Sequence, residues 1–102
     1  MPAFNLIKQS DGTYFVEGNM TFSTLNKKTI KSFGFLNTTK EICIDLEKVT
    51  VADSAGLALM IEWIKHSKLL NSKLRFKNIP QQLLTLAKLS DLDLQEFLTD
   101  FS

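Results

Sequence analysis

The chain has few of the residues from which catalytic and metal sites are built. His66 is the single histidine and Cys43 the single cysteine among 102 residues. A zinc site takes several Cys or His ligands, and one cysteine cannot form an intrachain disulfide. The carboxylates lack the spacing of a calcium loop, and the four glycines are too scattered to cradle a phosphate. We therefore expect no metal ion and no cofactor.

Spacing also argues against a hydrolase. If Ser54 and His66 share one helix, about 18 Å separates them along its axis at a rise of about 1.5 Å per residue. No Ser–His pair can then form within a monomer. Cys43 falls in an apolar strand, where it is expected to act as a small hydrophobic residue rather than as a nucleophile. The sequence predicts no catalytic residues, and we do not expect an enzyme.

The chain also lacks long apolar runs and a strong charge of either sign. No run approaches the length of about 18 apolar residues that a membrane-spanning helix needs, and the first residues show no secretory signal pattern. The formal net charge is +1, and Arg75 is the only arginine among 12 basic residues. Nucleic acid and anionic membranes are therefore unfavoured partners. Together with the lone cysteine, these features predict a cytoplasmic protein without membrane insertion.

Turn signals and hydrophobic periodicity predict one α/β domain over residues 1–102. The first part of the chain predicts two strands, Phe4–Gln9 and Thr13–Glu17, around an Asp11-Gly12 turn, and then a weak helix within Phe22–Phe35. The middle predicts strand Glu41–Leu46, a helix from about Ser54 to Leu70 and strand Lys73–Lys77. The last part predicts a helix after Pro80 and a short helical segment Leu94–Phe101. The unit from Glu41 to Lys77 implies two parallel strands joined by a right-handed crossover. With the leading antiparallel hairpin, this predicts a mixed β-sheet with helices packed on it.

The segment Val51-Ala52-Asp53-Ser54-Ala55-Gly56-Leu57 is the most informative in the chain. Asp and Ser are preferred N-cap residues, since a side-chain oxygen accepts a hydrogen bond from the first helical turn. Ala55 and Gly56 leave that turn nearly bare, so another backbone can approach it. We expect a helix that begins by presenting a hydroxyl on a surface of low relief. Such a surface suits docking and phosphorylation better than catalysis.

The long helix predicts which residues surround this hydroxyl. At 100° per residue one face carries the apolar residues expected to pack on the sheet: Leu57, Met60, Ile61, Trp63 and Ile64. Ala55, Ala58, Leu59 and Glu62 fall away from that face. The predicted partner-binding surface therefore consists of Asp53, Ser54, Ala55, Ala58 and Leu59. The alternative is that a neighbouring helix covers these small and apolar residues.

These residues also carry a family resemblance. The pattern Ile42-Cys43-Ile44-Asp45-Leu46, a short turn and Ala52-Asp53-Ser54-Ala55-Gly56-Leu57 resembles the STAS domain, which sulfate transporters and anti-sigma-factor antagonists share. In regulatory members the residue after the turn aspartate is the phosphorylated one. The resemblance therefore implies that Ser54 is the possible phosphorylation site. It also implies a STAS-like mixed sheet and a role in protein–protein interaction.

The stretch from Leu83 to Leu92 narrows the resemblance. It looks like the corresponding helix of the B subunit of the Mla phospholipid-transport ABC transporter, a small cytoplasmic STAS subunit of Gram-negative inner membranes. The first helix departs from that subgroup, because Thr29, Ile30 and Lys31 stand where a bulky aromatic residue is expected. Ala55 also replaces a second glycine in the turn.

The resemblance leaves two functions open. In the favoured one, the protein binds the ATPase of an inner-membrane ABC transporter through the helix that begins at Ser54. It would support assembly or activity of that ATPase in phospholipid trafficking and outer-membrane lipid asymmetry, and lie at the inner membrane through its partner. In the other, it is an anti-sigma-factor antagonist that is released from its kinase when Ser54 is phosphorylated. A free-standing ligand-binding domain has no pocket signal in the sequence.

Overall fold

The computed structural model describes residues 3–25, 40–94 and 97. Within these ranges the elements are β1 (Asn5–Ser10), β2 (Thr13–Met20), β3 (Glu41–Ala52), α1 (Ser54–Leu69), β4 (Lys73–Lys77) and α2 (Gln81–Leu89). Most of the predicted helix within Phe22–Phe35 lies outside the described residues, and Phe22–Thr24 forms a turn. The predicted segment Leu94–Phe101 also lies outside them, except for Leu94 and Phe97.

The four described strands form one mixed sheet in the order β1-β2-β3-β4. β1 pairs with β2 antiparallel, whereas β2, β3 and β4 are mutually parallel. The hairpin turns at Asp11-Gly12, where Ser10 pairs with Thr13 and Gly12 adopts a left-handed φ of 76°. Glycine takes this conformation without steric cost, which is why the dipeptide predicts a hairpin. The predicted mixed sheet is confirmed.

Two strands are longer than their sequences predict. β2 continues through Gly18 and Asn19 to Met20, and β3 continues to Ala52. The register between them shifts twice, and Gly18 has a φ of 93°. A Cβ atom at Gly18 would collide with the carbonyl oxygen of Ala3. The glycine that the sequence marks as a strand end is therefore a bulge that lets the strand continue.

The helices cover one face of the sheet and enclose the core. Buried side chains alternate along the strands, as Val16, Ile44 and Phe76 do. Of the helix residues predicted to face the sheet, four are buried, namely Leu57, Met60, Trp63 and Ile64, whereas Ile61 is half-buried against the core. The Trp63 and Phe76 rings stack with their centroids 6.3 Å apart. This packing fixes α1 across the sheet.

The other face of the sheet is polar and only partly covered. Oppositely charged residues stand side by side on β3 and β4, Glu41 beside Lys73 and Asp45 beside Lys77, an arrangement that stabilises a sheet. The Asp45 carboxylate accepts hydrogen bonds from the Glu47 backbone N–H at 2.9 Å and the Asn78 side chain at 3.1 Å. Asp45 is therefore a structural carboxylate. None of the described helices is long and apolar enough to cross a membrane.

Candidate docking site

The candidate site lies at the edge of the sheet where the three parallel strands end. β2 ends at Met20, β3 at Ala52 and β4 at Lys77. Because these strands run in the same direction, the segments that follow them meet at one edge. The loop after β2, the start of α1 and the start of α2 are thereby brought together.

Asp53 joins two of these segments. Its Oδ1 accepts a hydrogen bond from the backbone N–H of Ala55 at 2.8 Å, which makes it the N-cap of α1. Its Oδ2 accepts from the backbone N–H of Phe22 at 3.2 Å, in the loop after β2. The Asp53 backbone N–H donates in turn to the carbonyl of Met20 at 3.1 Å. Side chain and backbone of this one residue tie the end of β2 to the start of α1.

Ser54 is not the residue that caps α1. It is the first residue of α1 and is exposed, while Asp53 has the extended backbone that an N-cap requires. Of the two preferred N-cap residue types in this segment, Asp53 therefore caps α1 and Ser54 does not. Its hydroxyl lies on the surface at the positive end of the helix dipole.

Two residues predicted on the exposed surface are buried. Leu59 is 0% exposed and Ala55 is 5% exposed, so the prediction that they fall on an exposed side of the helix is wrong. The physical reason is that α1 contacts α2 as well as the sheet, so its buried arc is wider than a one-sided helical wheel suggests. Ser54 and Ala58 remain exposed, one turn apart on α1.

Gly56 shows what the bare first turn of α1 accommodates. A Cβ atom there would lie 2.8 Å from the carbonyl oxygen and 3.0 Å from the Cβ of Met20. Both distances are too short for a real side chain to fit without movement. The backbone that approaches this turn is therefore the chain's own β2, and Gly56 serves packing within the domain.

A shallow groove of about 620 Å³ opens beside Ser54. It is lined by Ala52, Asp53, Ser54, Gln81, Gln82, Thr85 and Leu86, from the end of β3 and from both helices. Gln82 links the start of α2 to the end of β3, because its side-chain oxygen accepts a hydrogen bond from the backbone N–H of Ala52 at 3.0 Å. The groove is an open depression next to an exposed hydroxyl.

Phe22 is the site residue that sequence reasoning missed. Its ring is 73% exposed although its backbone N–H is bonded to Asp53. The loop is braced on its other side by Thr24, whose hydroxyl donates to the Asn19 carbonyl at 2.6 Å and accepts from the Thr21 N–H at 3.1 Å. An aromatic residue in a Thr-Phe-Ser-Thr turn is the signal that could have found it, because Ser and Thr favour turns over helix interiors.

The exposed residues at this edge form what we call the Ser54 surface, namely Phe22, Ser54, Ala58 and the groove. Among its described residues Asp53 is the only charged one, and both of its oxygens accept backbone hydrogen bonds. The described residues hold no group of three or more His, Cys, Asp or Glu side chains that could bind a metal ion. The Ser54 surface is suited to contact with an uncharged protein surface.

Comparison with known proteins agrees with this architecture. A family model described as "Mlab, STAS domain" matches residues 15–99. The chain belongs to the STAS family. Two structures of the Bacillus anti-sigma-factor antagonist SpoIIAA share the fold. The structure of the unphosphorylated form matches with a TM-score of 0.64 and 17% sequence identity, over 96% of this chain and 88% of the SpoIIAA chain. The structure of the phosphorylated form matches with a TM-score of 0.68 and 16% sequence identity, over 95% of this chain and 89% of the SpoIIAA chain. None of the curated proteins compared with the chain matches it significantly.

Proposed function

We propose that this STAS domain is a non-catalytic subunit that binds the ATPase of an inner-membrane ABC transporter for phospholipids. It would belong to an ATPase–permease–substrate-binding complex and support assembly or activity of the ATPase. In this role the protein is cytoplasmic and lies at the inner membrane through its partner. The Mlab description of the matching family model supports this choice of partner.

The observation that carries the proposal is the Ser54 surface. Ser54 and Ala58 are exposed at the start of α1, beside a groove whose described lining contains Asp53 as its one charged residue. Both oxygens of that carboxylate already accept backbone hydrogen bonds, so covering the surface costs less than burying a carboxylate without hydrogen-bond donors. The residues proposed to contact the partner are Ser54 and Ala58. Asp53 supports them by capping the helix that carries both.

Co-purification with the ATPase of a phospholipid ABC transporter from the same organism tests the proposal. Ser54→Asp should leave the fold intact, because a carboxylate in the first turn of a helix is favourable. It should weaken binding strongly by placing an unpaired charge in the interface. Ala58→Arg should do the same through bulk and charge.

Matched variants outside the Ser54 surface serve as controls. Ser10→Asp adds the same negative charge beside the hairpin turn, at the opposite end of the strands, and Leu69→Arg places the same arginine side chain at the far end of α1. Both should bind as the unaltered chain does, and thermal melts of all four variants should report folded protein. Full-strength binding by both Ser54→Asp and Ala58→Arg would refute the proposed surface.

A second candidate is an anti-sigma-factor antagonist switched by phosphorylation of Ser54. The exposed hydroxyl and the fold shared with both forms of SpoIIAA favour it. A phosphate adds about 1.5 to 2 negative charges, which the helix N-terminus tolerates but an uncharged interface does not. The same variants mixed with an anti-sigma-factor kinase from the same organism distinguish the two candidates.

A further inference from the structure

Phe22 is exposed in a way that folding of the domain does not explain. Phe22 is 73% exposed, two residues after the end of β2, where Met20 is fully buried. Single exposed apolar residues are common on protein surfaces. Phe22 differs from such residues because its backbone is held on both sides by specific hydrogen bonds.

Those bonds make the loop a rigid support for the ring. On one side the Phe22 N–H donates to Asp53 Oδ2 at 3.2 Å. On the other side Thr24 and Leu25 both donate backbone N–H groups to the Thr21 carbonyl, at 3.1 and 2.9 Å. A side chain on an ordered backbone loses less conformational entropy on binding than one on a mobile loop, so it contributes more to affinity.

The surroundings indicate what kind of partner surface the ring fits. Asp53 is the only charged residue among the described residues of the Ser54 surface, and each of its carboxylate oxygens accepts a hydrogen bond from a backbone N–H group. None of the described residues of this surface is basic, whereas anionic membranes and nucleic acids are bound through basic residues. A protein surface with an uncharged, apolar depression is the complementary one, and buried aromatic anchors in such depressions dominate interface energetics.

We propose that Phe22 is the aromatic anchor of the Ser54 surface and that Asp53 is the positioning residue that holds it there. Phe22 inserts into an apolar depression of the partner ATPase, so the inference rests on the proposed function. Because Asp53 also caps α1, its carboxylate couples the start of that helix to the presentation of the ring.

The first test measures affinity for the same phospholipid-transporter ATPase by titration calorimetry. Phe22→Ala should weaken binding by about tenfold or more, as loss of an anchor does, and Phe22→Leu should restore part of it. Leu69→Ala is the matched control, because Leu69 is 78% exposed at the opposite end of α1. Its affinity should equal that of the unaltered chain.

The outcomes separate this inference from the proposed function. If the unaltered chain binds and Phe22→Ala binds equally well while Ser54→Asp does not, the anchor is refuted and the proposed function stands. If the unaltered chain does not bind the ATPase, the proposed function fails, and the anchor on that partner fails with it.

A second variant tests the role of Asp53. In Asp53→Asn the side-chain oxygen can still cap α1, since Asn is as good an N-cap as Asp. The amide nitrogen cannot accept a hydrogen bond from the Phe22 N–H. We expect unchanged thermal melts, faster hydrogen exchange at the Phe22 amide, and weaker binding.

A double-mutant cycle completes the test. If Asp53 acts through Phe22, the double variant Asp53→Asn/Phe22→Ala should bind no more weakly than Phe22→Ala alone. Fully additive losses, or an unchanged exchange rate of the Phe22 amide in Asp53→Asn, would overturn the positioning role.

Discussion

A Cβ atom at Gly56 would lie 2.8 Å from the carbonyl oxygen of Met20, so α1 and β2 approach each other as closely as their backbones allow. This contact sets the height of α1 above the end of the sheet. It thereby fixes where Ser54 and Ala58 lie relative to the groove.

Gly56→Ala should therefore destabilise the domain. Overpacking costs about 1–3 kcal/mol, and the better helix propensity of alanine returns up to about 1 kcal/mol. We expect a net loss of about 1–2 kcal/mol in the free energy of unfolding, measured by urea denaturation. Ala58→Gly, on the exposed side of α1, measures the effect of helix propensity on the free energy of unfolding, because it changes nothing else. A higher unfolding midpoint for Gly56→Ala would show that Met20 does not limit the approach of α1.

Leu59→Ala should reduce stability by about 2–5 kcal/mol, as truncation of a buried leucine does. Leu59 is 0% exposed, whereas Leu69 on the same helix is 78% exposed. Leu69→Ala is therefore the control and should leave the unfolding midpoint nearly unchanged. An unaltered unfolding midpoint for Leu59→Ala would contradict the burial of Leu59.

The N-cap of α1 should depend on Asp53 and hardly at all on Ser54. Asp53→Ala removes the bond to the Ala55 N–H and should cost about 0.5–2 kcal/mol. Ser54→Ala alters an exposed side chain and should stay within about 0.5 kcal/mol of the unaltered chain. Thermal melts of the two variants measure this difference. Equal losses would mean that Ser54 contributes to the cap after all.

Cys43 should react slowly with iodoacetamide in the folded chain. Burial raises the pKa of its thiol, against the opposing influence of Lys77, so less of the reactive thiolate exists at a given pH near neutrality. Mass spectrometry at pH 8 should show slower alkylation of native protein than of protein unfolded in urea. Lys77→Gln removes the charge that lowers the pKa, so its native rate should fall further. A native rate equal to the unfolded rate would contradict this account.

Local sequence signals determined most of the order of elements. The Asp11-Gly12 turn, the strict alternation over Lys73–Lys77 and the carboxylate of Asp53 each act through neighbours in the chain. Their effects could therefore be predicted from the sequence, and the structure confirms all three. The exposed position of Ser54 follows in the same way, because it comes one residue after the cap.

Tertiary packing decided the rest of the site. Leu59 and Ala55 are buried because α1 lies against both the sheet and α2, and a helical wheel contains no information about a second neighbour. β2 passes through Gly18 because a bulge accommodates it, which depends on pairing with β3. Phe22 reaches the Ser54 surface through a hydrogen bond to Asp53, a residue 31 positions away in the chain. Contacts between segments so distant in sequence leave no periodic or local pattern, so only the folded chain brings these residues together.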